Sequence, residues 1–317
     1  MVRYISKRLG YMLLTLWVVV TVTFFLMSSM PGDPISSQAK QLPKEVQQSL
    51  RAEYGLDKPV SERYVVYLKN LTKGNMGDSF VTPGISANKY IKERFPNSAR
   101  VGLQAVLFGL AIGLTLGIIA GFNRNTGIDY FVIFIAILGV SVPSFVLAAL
   151  LQQGLGGKGG LPIAGWYNNG DGFMNSLKFT ILPTLALSFS SIATYARYMK
   201  TSVLDVISQD YITTAQAKGV SRIAIAWKHI IRNAILPIIT ILGPQIASII
   251  TGSFVVEKIF AIPGLGSAMI DSITTKDYNM IMGFTIFYSF LYIVALLIVD
   301  ILYTVVDPRI RLSGGKR

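Results

Sequence analysis

Val101-Gly-Leu-Gln-Ala-Val-Leu-Phe-Gly109-Leu-Ala-Ile-Gly113-Leu-Thr-Leu-Gly117-Ile-Ile-Ala-Gly121-Phe-Asn123 runs between Arg100 and Arg124 without one charged side chain. A helix needs about 20 apolar residues to cross a hydrocarbon core about 30 Å thick, and this stretch has 23. Within it Gly109, Gly113, Gly117 and Gly121 recur at every fourth position. They form a stripe on which a second helix can lie closely, because association in lipid depends on tight backbone approach. Five further charge-free windows precede Asp33 and separate Asp129 from Lys158, Lys178 from Arg197, Arg232 from Glu257 and Asp277 from Asp300, with 24, 28, 18, 24 and 22 residues. No seventh window reaches 18.

The composition agrees with six crossings. Of 317 residues, 52% are hydrophobic and 14% charged, and the mean hydropathy is +0.53. A soluble domain carries roughly 25% charged residues, so something other than water solvates much of this surface. A soluble enzyme is excluded, and so is a β-barrel, whose strands would alternate at period two. The fold expected is an all-α membrane protein with six transmembrane helices. The first lies within residues 1–30 and the others near 101–123, 130–153, 179–197, 235–256 and 280–303. The apolar run Leu9 to Met30 is too long for the 7–15 residues or so of a signal peptide, and no small-x-small cleavage site follows. Pro143 and Pro183 permit kinks. The fifth span begins near Pro237 and carries Pro244, Ser248 and Gly252.

Basic residues set the orientation. The N-terminus, Arg124, the stretch 197–234 and the C-terminal tail hold 14 of them, whereas the short loops 154–176 and 257–280 hold only Lys158, Lys258 and Lys276. Short loops rich in Lys and Arg stay inside, so both termini are expected to be cytoplasmic. The net charge of +13 then reflects orientation and contact with anionic lipid, not nucleic acid. The remaining long segment, 31–96, is expected to form a helical cap on the outer face. Pro43 to Tyr54 ends at Gly55 and Pro59 to Lys73 ends at Gly74, the usual proline-first, glycine-last asymmetry of short helices.

Much chemistry is missing. There is no cysteine and one histidine, His229, so thiolate and paired-histidine metal sites are not expected. The Gly154 to Gly160 run contains Gly157-Lys158, but Gln152 stands where a P-loop needs its first glycine and no Ser or Thr follows Lys158. Asp300, near the inner end of the last span, is the only ionisable residue inside a window boundary. A gradient-driven transporter usually keeps such groups at mid-membrane.

The stretch from Asp205 to Pro237 is the most informative for function. Val203, Ile207 and Tyr211, with Val206 and Ile212, mark one helix with a semi-apolar face, and Gly219 stops it and permits a turn with positive φ. A second amphipathic helix leads back toward Leu236-Pro237. A short helix held out on two arms suits either a groove in a soluble partner or the plane of the headgroups.

Thr213-Thr214-Ala215-Gln-Ala217-Lys218-Gly219 followed by Leu236-Pro237 resembles the EAA loop of ABC importer permeases, in the form used by the peptide-permease branch. The resemblance extends through Arg3-Tyr4-Ile5, Pro31-Gly32-Asp33-Pro34, Tyr54-Gly55-Leu56-Asp57, Gly74-Asn75-Met76-Gly77-Asp78-Ser79, Ser141-Val142-Pro143-Ser144-Phe145, Glu257 through Gly266, and Val306-Asp307-Pro308-Arg309. The chain is similar to the B-type permease subunit of oligopeptide or dipeptide ABC importers.

That resemblance implies a type I importer permease fold, with a transmembrane domain over 97–305, a coupling loop at 199–234 and a cytoplasmic tail at 306–317, in a prokaryotic cell membrane. It implies as partners a second homologous permease, two ATP-binding subunits, an extracellular peptide-binding protein and the peptide itself. This chain would bind no cofactor, and ATP and Mg would sit on the ATP-binding subunits. Asp210, Tyr211, Thr213, Thr214, Ala215, Ala217, Lys218, Gly219 and Arg222 would form the coupling surface. Thr214, Ala215 and Ala217 would pack in the partner's groove, and Lys218 or Arg222 would pair with its carboxylates. Dipeptides, a nickel chelate or glutathione are alternative cargoes. A gradient-driven transporter or channel is the alternative class.

Overall fold

The structure is a computed structural model that describes residues 2–30, 43–53, 55–168, 170, 172–252 and 254–306, without the side chains of 2–5, 44, 50, 53, 247–252 and 300–306. The Pro31 to Pro34 motif, the tail beyond Val306 and the side chains of Ser248 and Asp300 therefore lie outside the described residues. The described helices in chain order are α1 (Val2–Ser29), α2 (Lys44–Glu53), α3 (Val60–Thr72), α4 (Ala87–Phe122), α5 (Gly127–Ser141), α6 (Ser144–Leu155), α7 (Phe173–Ile207), α8 (Asp210–Ala217), α9 (Arg222–Ala234), α10 (Leu236–Gly252), α11 (Phe254–Ile259), α12 (Leu265–Thr275) and α13 (Tyr278–Val306). No named strand occurs among the described residues; Asp78 and Ser86 form one isolated antiparallel bridge.

Four helices are long and apolar enough to cross a membrane on their own: α1, α4, α7 and α13. Two bent pairs have the same capacity, α5 with α6 at 105° and α9 with α10 at 45°. The first bend falls at Pro143, where Val142 adopts extended backbone (φ −91°, ψ 118°), as the ring of a following proline demands. Pro183, by contrast, sits inside the continuous α7. Burial differs sharply among the spans. In the apolar window of α1 only 11% of residues are buried, against 61% in α7. Leu13, Leu14, Trp17, Val22 and Leu26 are exposed, as suits a helix bathed in lipid or in a partner's side chains.

The chain divides into two compact units, one of residues 1–98 with 263–293, the other of 99–262 with 294–317. In the first, α2 and α3 occupy the stretches marked by Pro43 and Pro59, and the glycines that end them, Gly55 and Gly74, have φ of +64° and +77°. Val20, Phe24, Tyr67, Met282 and Ile286 form a core there, and Thr21 Oγ1 lies 2.6 Å from the Tyr64 hydroxyl. Burial pushes the Tyr67 phenol far above its ordinary range. The Gly74 to Ser79 motif is knotted onto the loop before α13. Asp277, buried, accepts from Ser79 Oγ at 2.5 Å and from the Phe80 amide at 3.1 Å, while Asn279 donates to the Asp78 carbonyl at 3.0 Å. Hydrogen bonds to a buried charge are each worth about 1.5–3 kcal/mol. Asp277→Ala should therefore lower stability by about 2–4 kcal/mol, read as a lower melting temperature of the purified protein, whereas Asp277→Asn should lose less.

In the second unit α7 is the axis. The α4 stripe lies directly against it: a Cβ placed on Gly109 would come 3.0 Å from Ser191 Cβ, on Gly113 2.8 Å from Tyr195 Cβ, on Gly117 2.6 Å from the Ala196 carbonyl and on Gly121 2.6 Å from Val203 Cγ1. From α5, Gly139 approaches Ala193 equally closely. Small residues on two helices thus let three backbones meet.

Candidate functional site

The helix read from Val203 through Ala217 is in fact two. Helix α7 ends at Ile207, where Ser208 and Gln209 turn their side chains back to the Asp205 carbonyl at 2.8 and 3.3 Å. Gln209 takes extended backbone (φ −80°, ψ 142°) and α8 starts at Asp210. The carboxylate of Asp210 in the first turn suits the positive end of the helix dipole. At the other end the Gly219 amide donates to the Gln216 carbonyl at 2.9 Å and the Val220 amide to that of Ala215 at 3.2 Å. Gly219 has φ +75°, so the turn expected from the sequence is present. Ser221 Oγ then caps α9, accepting from the Ala224 amide.

Ile212 and Ala215, three apart, face inward. They are 1% and 8% exposed and pack with Val203, Ile225, Ile230 and Ala234. Ala215 is therefore not free to enter a partner's groove: helical spacing puts it on the same face as Ile212, against the chain's own core. Asp210, Tyr211, Thr213, Thr214, Ala217, Lys218, Gly219 and Arg222 are all exposed. Asn233 of α9 donates to the Tyr211 hydroxyl at 3.2 Å and to the His229 carbonyl at 2.7 Å, which ties the two arms together. The outward face of α8 is thus almost wholly polar, and the large apolar side chains exposed nearby, Ile223 and Trp227, belong to α9.

Two features of this region were not visible in the sequence. Ile225–Ile231 inside α9 is wound as a π-helix, for which no residue pattern gives a signal. Asp129 on α5 and Lys200 on α7 form an ion pair at 2.5 Å, a contact between residues remote in the chain. The Gly154 to Gly160 run, by comparison, closes on itself: Lys158 Nζ donates to the Gly154 carbonyl and the Gly157 amide to that of Leu161.

These elements define a helical membrane protein of several spans, with a short polar helix carried between two of them. The matches to known proteins narrow the class. Residues 113–312 match the binding-protein-dependent transport system inner membrane component family and residues 1–100 its N-terminal counterpart, and the chain belongs to that family. Over 313 residues it is 41% identical to the dipeptide transport system permease protein of Lactococcus lactis, covering 98% of this chain and 100% of that one. It is 42% identical over 313 residues to the Bacillus subtilis protein of the same description, covering 98% and 99%. To the oligopeptide transport system permease protein of Haemophilus influenzae it is 40% identical over 312 residues, covering 98% and 100%.

Proposed function

We propose that the chain is the permease subunit of an ATP-driven peptide importer. It forms half of a translocation pore with a second homologous permease and receives peptide from an extracellular binding protein. Each bent pair counts as one crossing, giving six with both termini cytoplasmic. The surplus of basic residues on the stretches 1–8, 124 and 197–234 supports that orientation. The chain itself binds no cofactor; ATP and Mg belong to two ATP-binding subunits beneath it.

The observation that carries this reading is the outward face of α8. A helix lying in the headgroup plane buries an apolar face in lipid, but here Ile212 and Ala215 are already committed to the protein core. What remains, Asp210, Tyr211, Thr213, Thr214, Ala217 and Lys218, suits a groove in a soluble protein. ATP-driven closure of the ATP-binding subunits moves α8, and the spans shift between outward-facing and inward-facing arrangements, provided ATP favours one arrangement over the other. Oligopeptides are the proposed cargo, with dipeptides the alternative favoured by the Lactococcus and Bacillus relatives.

The chain has no cysteine, so an introduced one is unique. Thr214→Cys should react with a membrane-impermeant maleimide only from the cytoplasmic side, and the ATP-binding subunits should protect it. Labelling from outside, or labelling indifferent to those subunits, would refute the docking role. ATP-dependent uptake of labelled dipeptides against longer peptides, by the complete complex in vesicles, decides the cargo.

A further inference from the structure

The last two turns of α7 carry α8, so whatever fixes those turns governs what a pull on α8 accomplishes. Lys200 stands at their start, and three elements meet there. From α4, a Cβ on Gly117 would lie 3.1 Å from the Lys200 amide nitrogen and one on Gly121 3.5 Å from its carbonyl oxygen. From α5, Asp129, 3% exposed, places Oδ1 2.5 Å from Lys200 Nζ. From the turn between α4 and α5, the Asn125 amide donates to Asp129 Oδ2 at 3.0 Å, with Asn125 itself at φ +63°, a conformation asparagine tolerates better than most residues.

On an exposed surface such a pair would contribute little. Here the carboxylate has given up water, so each charge depends on the other, and removing one strands its partner. We propose that Asp129 and Lys200 are positioning residues that clamp the arm of α8 to the α4–α5 turn. The clamp delivers movement of α8 to both spans instead of letting the end of α7 bend alone. The inference rests on the reading of α8 as the docking helix, but both residues lie outside α8 itself. Without the clamp the partners hydrolyse ATP while less peptide crosses.

The test uses the complete transporter in vesicles and reads uptake per ATP hydrolysed, with assembly read separately by co-purification. Because a single change leaves one buried charge alone, the decisive variants are the neutral double, Asp129→Asn with Lys200→Met, and the exchanged pair, Asp129→Lys with Lys200→Asp. The neutral double should assemble and hydrolyse ATP normally while uptake per ATP falls about tenfold. The exchanged pair should recover it to within about threefold. An unchanged ratio in the neutral double, or no recovery in the exchanged pair, overturns the clamp. So does a neutral double that merely fails to assemble, since the pair would then be a structural tie alone. Wild-type uptake that needs no ATP would instead sink the docking reading, so the two failures are distinguishable.

Discussion

Replacing Gly219 by valine should leave the protein in the membrane with its partners bound, yet reduce peptide uptake at least about tenfold while ATP hydrolysis continues. Space is not the reason, because a Cβ on Gly219 would meet nothing within 4 Å. The reason is conformation. At φ +75° an L-residue costs about 1–2 kcal/mol, and a β-branched one more, so valine drives the turn toward another geometry. The position is exposed and the core beneath α8 is untouched, so insertion survives. What changes is the angle at which α8 leaves the membrane and the path by which α9 returns to it. Uptake per ATP measured in vesicles checks this, and wild-type rates would refute it.

Gly117→Val should act in the opposite manner, abolishing accumulation instead of uncoupling. Its Cβ would meet the Ala196 carbonyl and Met199 Cβ, both at 2.6 Å, and the Lys200 amide at 3.1 Å. Two of these neighbours are backbone of α7 and cannot swing aside, so the helices must separate. Overpacking of a fitted core typically costs about 1–3 kcal/mol; here backbone must move along a whole seam, so the loss should reach the upper end at least. The measure is the amount of folded protein in the membrane fraction. Gly10→Ala is the control, since Gly10 lies in α1 with nothing within 4 Å of its Cβ position, and it should accumulate normally.

The contrast between these glycines shows how far the sequence could be read. The four-residue spacing from Gly109 to Gly121 announced a packing face because helical periodicity is local, but that the facing helix would be α7 was not written in it. Charge-free windows located the spans, because lipid forbids unpaired charge, yet they missed the ends. Helix α4 begins at Ala87 and passes through Lys89, Lys92 and Arg94, since turns that reach water need not be apolar. The break at Ser208 and Gln209 was hidden because Val203, Ile207 and Tyr211 keep helical spacing across it. Pro143 and Pro183 look equivalent in sequence, but one bends its span by 105° and the other rides inside an unbroken helix. Neighbouring groups can re-satisfy the backbone that a proline frees, and those neighbours belong to the tertiary fold. The coupling surface was legible as a loop but not face by face, and Ala215 was misassigned because burial depends on Ile225 and Ile230 arriving from the far side of the turn.

The wide winding of Ile225–Ile231 has a consequence for chain length. A π turn holds more residues than an α turn, so this stretch stores slack between the elbow and the following span. One residue gained or lost there is taken up by rewinding, while Leu236 and everything after it keep their rotational setting. The linkage is thus a place where the protein tolerates a change in the length of its lever without rebuilding the bundle that the lever works.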